Sequence, residues 1–294
     1  MSLTDEQIAL RKKGIGASEI AAIAGLLPES YDTSALTLWL DKTGREPLSE
    51  SDFAAHMEWG HPMEVVIGEW YRGQLPQGHR ATDLQTIQTN GGRYLATPDL
   101  LVSGPTGQWL AQIKNVGHRV AHKWVDGPPV YVVAQCQWEL MVLREELGTR
   151  FDRNDVVASI APTPPQAGRQ DSHPEMLEEL KKAADQFLFC LTTDTRPAVN
   201  GHGSWVDYFA REFPQKNSTP ELLDMPPGMV NLLDQYDTAR DYEREAISHR
   251  KKLRNRLLSE LGDAAGFIGE GWRVKRKWSR GTPWVDVRRI NSDE

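Results

Sequence analysis

The middle of the 294-residue chain holds three short strand-like segments followed by a long apolar helix, and no other feature constrains the fold as strongly. The turn-forming runs NGG and GPTG separate the strand-like segments, and such turns predict neighbouring strands. A further apolar segment follows the helix. The resulting α-β-β-β-α-β order predicts an α/β or α+β core with a central mixed β-sheet flanked by helices. We expect strands at 84–89, 94–102, 108–116 and 155–161, and the long helix at 131–148.

Two proline-rich breaks organise the rest of the chain. The first runs from Pro162 to Pro174, and the second covers residues 214–228. The second break precedes a long charged helix at 229–261 and a twisted basic β-hairpin. We therefore expect one core domain at 1–215 and a C-terminal appendage at 216–294.

A glycine loop near the N-terminus forms a candidate anion site. It follows a helix that ends near Lys13, and Ser18 is the expected N-cap of the next short helix. Arg11 lies seven residues before Ser18. Backbone N–H groups, a hydroxyl and a guanidinium would bind a phosphate, although an ordinary N-cap beside a solvated arginine explains the same pattern. Further along, Pro62 is expected near the start of a helix.

The net charge of −7 excludes a protein coated in basic surface, but a local basic patch could still bind nucleic acid. The C-terminal segment offers such a patch, rich in Lys and Arg and interleaved with Trp272, Trp278 and Trp284; solvated charge explains it equally well. Cys136 and Cys190 are expected as buried free thiols in a reducing compartment. The sequence shows no signal peptide and no apolar run near the ~20 residues of a membrane span, which predicts a cytoplasmic protein with no membrane partner.

Asp99, Gln112 and Lys114 form the candidate catalytic set. Alternation along a strand puts Gln112 and Lys114 on one face, and the hairpin brings Asp99 to the same edge. Oxygen ligands hold Mg²⁺, which polarises a phosphate and activates a water, while an ammonium stabilises the developing charge. The pattern suits phosphodiester hydrolysis, but such short spacings also occur by chance in ordinary turns and strands.

Two further features point to the same chemistry. Glu64 lies in a helix upstream of the strands, where it could supply another carboxylate or simply interact with the helix dipole. Gln135 and Gln137 lie in the apolar helix after the lysine strand, where a buried amide needs a partner. One of them could reach a metal-bound water or the lysine, or both could be solvated or locally bonded.

Taken together and in order, these segments resemble phage recombination exonucleases of the lambda-exonuclease type. More closely, they resemble the YqaJ-like viral recombinases of the PD-(D/E)xK nuclease superfamily. The resemblance is carried by RKKGIGASEIAAIAG, EWGHPMEVVIGEWY, ATPDLLV with QWLAQIKNV, and AQCQWEL, and it covers about residues 8–160. It implies a restriction-endonuclease-like nuclease core for the 1–215 domain, followed by a long helix and a basic hairpin.

The resemblance also implies a role for each matching residue. Lys114 would be the catalytic lysine, and Gln112 would occupy the position of the second motif acid. The implied metal ligands are Glu64, Asp99, Gln112 and the carbonyl oxygen of Ile113, with Gln135 in support. The implied pocket for the 5′-phosphate of a DNA end comprises Arg11, Ser18, Thr97 and Arg119, the last shifted by about one residue from its expected position.

The activity implied is a Mg²⁺-dependent 5′→3′ degradation of one strand of linear double-stranded DNA, with Mn²⁺ as a substitute metal. The remaining 3′ single strand would pass to a single-strand annealing protein. The resemblance also implies a ring-shaped homo-oligomer, a trimer or a tetramer. It further implies a protein of phage or prophage origin that acts in the cytoplasm of a bacterial host. A helix from Met229 with apolar residues at helical spacing could contribute to oligomerisation or pack on its own domain.

Gln112 departs from the family pattern, because a glutamine offers a carbonyl oxygen but no negative charge. Three accounts remain open: a tolerated variant ligand, an engineered Glu→Gln change that traps substrate, and a natural DNA-end binder that does not cleave. The alternatives to the exonuclease are accordingly a non-catalytic DNA-binding or scaffold protein and an endonuclease of the same fold. End dependence distinguishes the endonuclease, and rescue by Gln112→Glu distinguishes the silent binder.

Overall fold

A computed structural model describes residues 10–48, 53–148, 151–160, 163–214 and 224–290, with the backbone alone for 53–59 and 61. The chain divides into two compact units, Met1–Gln215 and Lys216–Glu294. Within the described ranges, no helix combines the length and apolarity that a membrane span requires. Each unit is described below by itself.

The first unit alternates helices and strands, and residues 10–13 at its start are helical. Its further helices are α1 (Ile20–Ile23), α2 (Ala35–Lys42), α3 (Phe53–Gln74), α4 (Val130–Leu147), α5 (Pro174–Thr193) and α6 (Ser204–Glu212), with a 3-10 turn at His118–Trp124. Its strands are β1 (Ile15–Gly16), β2 (Arg80–Asp83), β3 (Ile87–Thr89), β4 (Tyr94–Ala96), β5 (Leu100–Gly104), β6 (Gly107–Val116), β7 (Arg153–Ile160) and β8 (Gln166–Asp171).

A five-stranded mixed sheet forms the centre of this unit, in the order β2-β5-β6-β7-β8. The β6–β7 pair is parallel, and the other pairs are antiparallel. A parallel pair needs a long crossover, and α4 supplies it between β6 and β7. The mixed sheet flanked by helices confirms the fold class predicted from the sequence.

Helices cover both faces of the central sheet. Ile67 and Tyr71 of α3 pack with Ala111 and Ile113 on one face of β6. Leu110, which points to the other face, belongs to the larger core built around α4. Trp138 of α4 is fully buried there, and its loss to alanine would cost about 3–5 kcal/mol. The side chains on β6 are thus divided between two packed layers.

The predicted strand at 94–102 is instead two strands in two different sheets. β4 pairs with β1 and β3, whereas β5 joins the central sheet. Pro98 lies between them; it has no N–H to donate and restricts the residue before it, so a ladder cannot continue through it. The break places Asp99 at the head of β5, beside the central sheet.

Three other expectations are corrected. Ser18 is not an N-cap, because α1 begins one residue later and Glu19 occupies the cap position. Pro62 lies inside α3 rather than near its start, at the cost of one backbone hydrogen bond. The break that begins at Pro162 contains β8, which pairs with β7 as a solvated edge strand and therefore lacks an apolar alternation.

Two expectations from the sequence are confirmed. Asn90, Gly91 and Gly92 join the antiparallel strands β3 and β4, as a hairpin turn should. Cys136 and Cys190 are both buried free thiols. Neither cysteine contributes a disulfide, so the core depends on packing alone.

The second unit consists of the long helix α7 (Met229–Leu261) and a sheet of β9 (Gly266–Gly269), β10 (Trp272–Ser279) and β11 (Thr282–Arg289). The predicted hairpin of β10 and β11 is present, and β9 adds a third strand. Trp272, Trp278 and Trp284 are exposed. Two of them carry cations of the same sheet over their rings, Arg289 over Trp272 and Lys277 over Trp284.

Candidate active site

Asp99 and Gln112 meet where the β5–β6 hairpin ends. Leu100 pairs with Ala111 across the hairpin, so Asp99 lies beside Gln112. The Oδ2 atom of Asp99 accepts two hydrogen bonds at 2.6 Å, one from the backbone N–H of Ile113 and one from the Nε2 of Gln112. A carboxylate can only accept, so this contact fixes which end of the Gln112 amide faces Asp99.

The other end of the same amide has no hydrogen-bond partner in the described parts of the chain. Gln112 is 4% exposed, and its Oε1 is buried without a hydrogen bond. A buried acceptor left in this state costs about 1–3 kcal/mol, and native proteins rarely retain one without a reason. An oxygen-binding cation or an ordered water would satisfy it.

Lys114 begins a chain of three further hydrogen bonds. Its Nζ donates to the Oε1 of Gln135 at 2.9 Å, and the Nε2 of Gln135 donates to the Oε1 of Glu139 at 2.9 Å. The second oxygen of Glu139 accepts from the Nδ2 of Asn154 on β7 at 2.8 Å. The chain therefore runs from the β6 lysine through α4 to the neighbouring parallel strand.

Glu139 is a fully buried acid at the centre of this chain. Burial raises its pKa to about 7, and the nearby charge of Asp99 acts in the same direction. The hydrogen bond from Gln135, the charge of Lys114 and the hydrogen bond from Asn154 all oppose that rise. Above its pKa the carboxylate accepts from both amides, as the observed geometry requires.

A small cavity of about 50 Å³ adjoins this chain. Its walls include three of the residues expected around a 5′-phosphate, and also the Gln135 and Glu139 side chains. The polar residues that line it are Arg11, Ser18, Thr86, Thr97, Gln135 and Glu139. The hydroxyls of Thr86 and Thr97 are 2.9 Å apart and bond to each other. The cavity thus places Arg11 and three hydroxyl-bearing residues beside Gln135 and Glu139 of the lysine chain.

The segment that carries Arg11 is held by a buried lysine. The Nζ of Lys42 donates to the carbonyl oxygens of Arg11 and Gly14 at 2.5 and 3.0 Å, and it pairs with Glu19 at 2.8 Å. Gly14 also lies so close to the β3–β4 turn that a Cβ would come within 2.7 Å of the Gly92 carbonyl oxygen. These contacts fix the backbone from which Arg11 extends.

Glu64 lies in the middle of α3, half-buried and one turn before Gly68. Gly68 is the point at which α3 approaches β6, since a Cβ there would lie 3.2 Å from the Ile113 side chain. Residues four apart share a helix face, so Glu64 is on the face of α3 that meets β6. Within the described residues, no three His, Cys, Asp or Glu side chains gather as a metal-binding group.

The remaining candidates lie apart from this cluster. Arg119 is exposed on the short 3-10 turn after β6 and is not among the residues lining the small cavity. Gln137 is fully buried but bonds to the backbone of Asp171 and His173 at 2.8 Å, which fastens α4 to the segment after β8. Of the two glutamines on α4, only Gln135 contacts the lysine.

Sequence reasoning missed Thr86, Glu139 and Asn154. Glu139 carried a usable signal, since it is an acid four residues after Gln135 in an otherwise apolar helix. Asn154 carried none, because its contact depends on the parallel pairing of β6 with β7. Thr86 lies in the segment predicted as a strand, where its hydroxyl has no distinguishing neighbour in sequence.

Comparisons with known proteins point to one family. Residues 7–149 match the profile of the YqaJ-like viral recombinase domain. The protein YqaJ of Bacillus subtilis (strain 168) is 25% identical over 281 residues, spanning 90% of this chain and 81% of YqaJ.

Solved structures with a similar fold include an alkaline exonuclease, LHK-Exo from Laribacter hongkongensis. It is 19% identical to this chain, with a TM-score of 0.48 over 71% of this chain and 97% of its own. The structure of LHK-Exo in complex with dAMP aligns over the same shares, at 22% identity and a TM-score of 0.50. This second likeness supports the fold.

Proposed function

Because residues 7–149 match the YqaJ-like viral recombinase domain, we propose that the protein is a recombination-type exonuclease that hydrolyses phosphodiesters of linear double-stranded DNA. The single observation that carries the proposal is the contact of Asp99 with Gln112 at the end of one hairpin, with Lys114 two residues further along β6 and bonded to Gln135. An acid, an amide oxygen and an ammonium on adjoining strands suit the hydrolysis of a charged phosphate.

The proposed cofactor is Mg²⁺, with Mn²⁺ as a substitute, held by Asp99, the Oε1 of Gln112, the carbonyl oxygen of Ile113 and Glu64. The unpartnered, buried Oε1 of Gln112 beside a carboxylate fits a hard cation that prefers oxygen ligands. Such an ion would polarise the scissile phosphate and lower the pKa of a bound water. Gln112 supplies no charge, so we expect the ion to bind more weakly than at a site with a third acid.

Lys114 is proposed as the residue that stabilises the negative charge developing on the phosphate. Its Nζ is held 2.9 Å from the Oε1 of Gln135, which leaves the remaining ammonium protons for a water or a phosphate oxygen. Placed there, the ammonium would orient the attacking water and offset negative charge on the phosphate. Asp99 is held in turn by the Ile113 N–H, so neither group needs to be reorganised before reaction.

The small cavity supports a preference for DNA ends. Arg11, Ser18 and Thr97 lie together on its walls and would bind a terminal 5′-phosphate through the guanidinium and hydroxyls. A site that holds a terminal phosphate favours an exonuclease over an endonuclease, and it gives 5′→3′ polarity with a 3′ single strand as product. The Glu139 carboxylate also lies on this wall and disfavours an anion, so Arg11 is required to offset it.

The family resemblance extends the proposal to a homo-oligomer, a trimeric or tetrameric ring, that passes its product to a single-strand annealing protein. Arg119 stays a candidate for the phosphate pocket only if the 3-10 turn rearranges when DNA binds. Neither extension affects the chemistry assigned to Asp99, Gln112 and Lys114.

A second candidate function is a DNA-end binder that does not cleave. The observation that favours it is the neutral Gln112 in the position of an acid, together with the lack of a three-acid group in the described parts of the chain. Such a protein would bind linear DNA and leave it intact under any divalent metal.

The test is digestion with Mg²⁺ of matched linear and covalently closed circular duplexes of one sequence. The exonuclease proposal predicts loss of the linear substrate, faster with 5′-phosphorylated than with 5′-hydroxyl ends, and survival of the closed circle. Equal cutting of the circle would make the protein an endonuclease. Binding of the linear duplex without degradation would favour the non-catalytic binder.

A further inference from the structure

Glu139 and Asn154 together determine which end of the Gln135 amide faces the lysine. Both oxygens of Glu139 are already engaged by amide N–H groups, one from Gln135 and one from Asn154. An ionised carboxylate accepts only, so Gln135 must turn its Nε2 toward Glu139. Its Oε1 is then directed to the Lys114 ammonium. In the reverse orientation, the Nε2 hydrogens of Gln135 would face the hydrogens of the Lys114 ammonium.

We propose that Glu139 is a positioning residue, which orders Gln135 and through it fixes the Lys114 ammonium at the reacting phosphate. The inference rests on the proposed function, because it assigns Glu139 to the same hydrolytic site. Asn154 completes the arrangement by holding the second carboxylate oxygen from β7. In this role Glu139 acts on Lys114 through Gln135.

A purely structural explanation for Glu139 is weaker. A fully buried acid costs stability, and the same space in α4 would be filled more favourably by an apolar side chain. A second buried acid among the described residues, Asp155 on β7, is compensated by Arg153 at 2.5 Å and by the Tyr71 hydroxyl at 2.7 Å. Among the described residues, the hydrogen-bond partners of Glu139 are two neutral amides, and one of them connects it to the Lys114 ammonium.

The direction of the hydrogen bonds makes the role testable by an isosteric exchange. Glu139→Met keeps a similar volume but removes the acceptor, so the Gln135 amide loses the group that sets its orientation toward Lys114. Glu139→Gln keeps an acceptor, because its Oε1 still accepts from Gln135 while its Nε2 donates to the Oδ1 of Asn154, an atom without a hydrogen bond among the described residues, once that amide turns over. The turn gives up the 3.4 Å contact from Asn154 to the Cys136 carbonyl oxygen.

The experiment compares the protein, Glu139→Met and Glu139→Gln in digestion of 5′-phosphorylated linear duplex with Mg²⁺. We expect Glu139→Met to lose about 10-fold or more in kcat with little change in KM, and Glu139→Gln to keep most of the activity. Glu145→Gln on the same helix, whose partner is the surface Lys181, is the matched control and should be unchanged.

A second measurement does not depend on activity. The side-chain amide protons of Gln135, assigned by their loss in Gln135→Met, should shift in Glu139→Met and stay near their original positions in Glu139→Gln. Full kcat in a folded Glu139→Met, unmoved Gln135 resonances in that variant, or an equal loss of kcat in Glu139→Gln would each overturn the positioning role. If the protein and Gln112→Glu both leave DNA intact, the proposed function fails instead, and the Gln135 resonances still decide whether Glu139 orders the amide.

Discussion

Two glutamines flank Lys114 in the candidate site, and their surroundings differ in one respect. Gln135 on α4 uses both ends of its amide, one toward Lys114 and one toward Glu139. Gln112 on β6 uses its Nε2, toward Asp99, while its buried Oε1 has no partner among the described residues. Within that part of the chain, one amide is hydrogen-bonded at both ends and the other at one end.

This difference in hydrogen bonding assigns a separate role to each part of the site. The α4 part is preorganised, since its hydrogen bonds form without any ligand and hold the ammonium in place. In the Asp99–Gln112 part, the Gln112 Oε1 lacks a hydrogen-bond partner among the described residues. A buried oxygen of this kind is suited to bind a cation. We infer that changes on α4 affect how well Lys114 is positioned, and changes at Gln112 affect how well the metal is held.

The largest expected effect is at the residue the two parts share. Lys114→Ala should reduce DNA cleavage by at least about 100-fold, because the group that offsets charge on the phosphate is lost. Binding of linear DNA and the unfolding temperature should change little. Digestion rate and DNA affinity are the measurements, with the exposed Lys182→Ala as control. A Lys114→Ala protein that still digests DNA at full rate would remove the lysine from the reaction.

The next effect concerns pH and the buried Glu139. Its pKa is raised from 4.5 to about 7 in the folded protein, so between these values the folded state binds more protons than the unfolded state. Stability should therefore fall as the pH rises through this window, by up to about 3 kcal/mol relative to Glu139→Gln, and be flat above it. Urea unfolding of both proteins from pH 4 to 8 measures this difference. A difference in the free energy of unfolding that stays constant across this pH window would contradict a raised pKa for the buried Glu139.

Replacing each glutamine by methionine sharpens the contrast directly. Gln135→Met leaves the Glu139 oxygen without its donor and should destabilise the fold by about 1–3 kcal/mol. Gln112→Met removes a group that is already half unsatisfied, and Asp99 keeps the Ile113 N–H, so its cost should be smaller. Chemical denaturation of the two variants in the absence of divalent metal gives both values. A larger loss for Gln112→Met would reverse the assignment of the two amides.

The smallest effect is expected at the cavity. Arg11→Ala should reduce the preference for 5′-phosphorylated over 5′-hydroxyl ends, since the guanidinium offsets both the phosphate and the neighbouring Glu139. The measurement is the ratio of initial rates on the two substrates. Lys13→Ala, in the same N-terminal segment, serves as the control. An unchanged ratio in Arg11→Ala would move the phosphate pocket elsewhere.

The sequence predicted the parts of this site that depend on local patterns. Alternation placed Gln112 and Lys114 on one face of β6, and the hairpin turn brought Asp99 alongside. A contact between Lys114 and one of two glutamines on the next helix was one of the alternatives that the sequence left open, and the structure shows it at Gln135.

What the sequence did not predict depends on pairing between distant segments. Asn154 reaches Glu139 only because β7 lies parallel to β6, and nothing in its own neighbours reports that pairing. The division of 94–102 at Pro98 was missed because both halves are apolar, although proline chemistry explains it afterwards. The edge strand β8 was missed because a solvated strand has no apolar period to detect.

The most direct test of the central claim is a Mg²⁺ titration of DNA digestion by the protein beside its Gln112→Glu variant. If the Asp99–Gln112 end is a cation site that lacks one negative charge, both proteins digest 5′-phosphorylated linear duplex, and the variant reaches half its maximal rate at a lower Mg²⁺ concentration. Digestion by Gln112→Glu alone would keep the site and show that Gln112 disables it. No digestion by either protein at any Mg²⁺ concentration would contradict the hydrolytic site and leave the non-cleaving DNA-end binder.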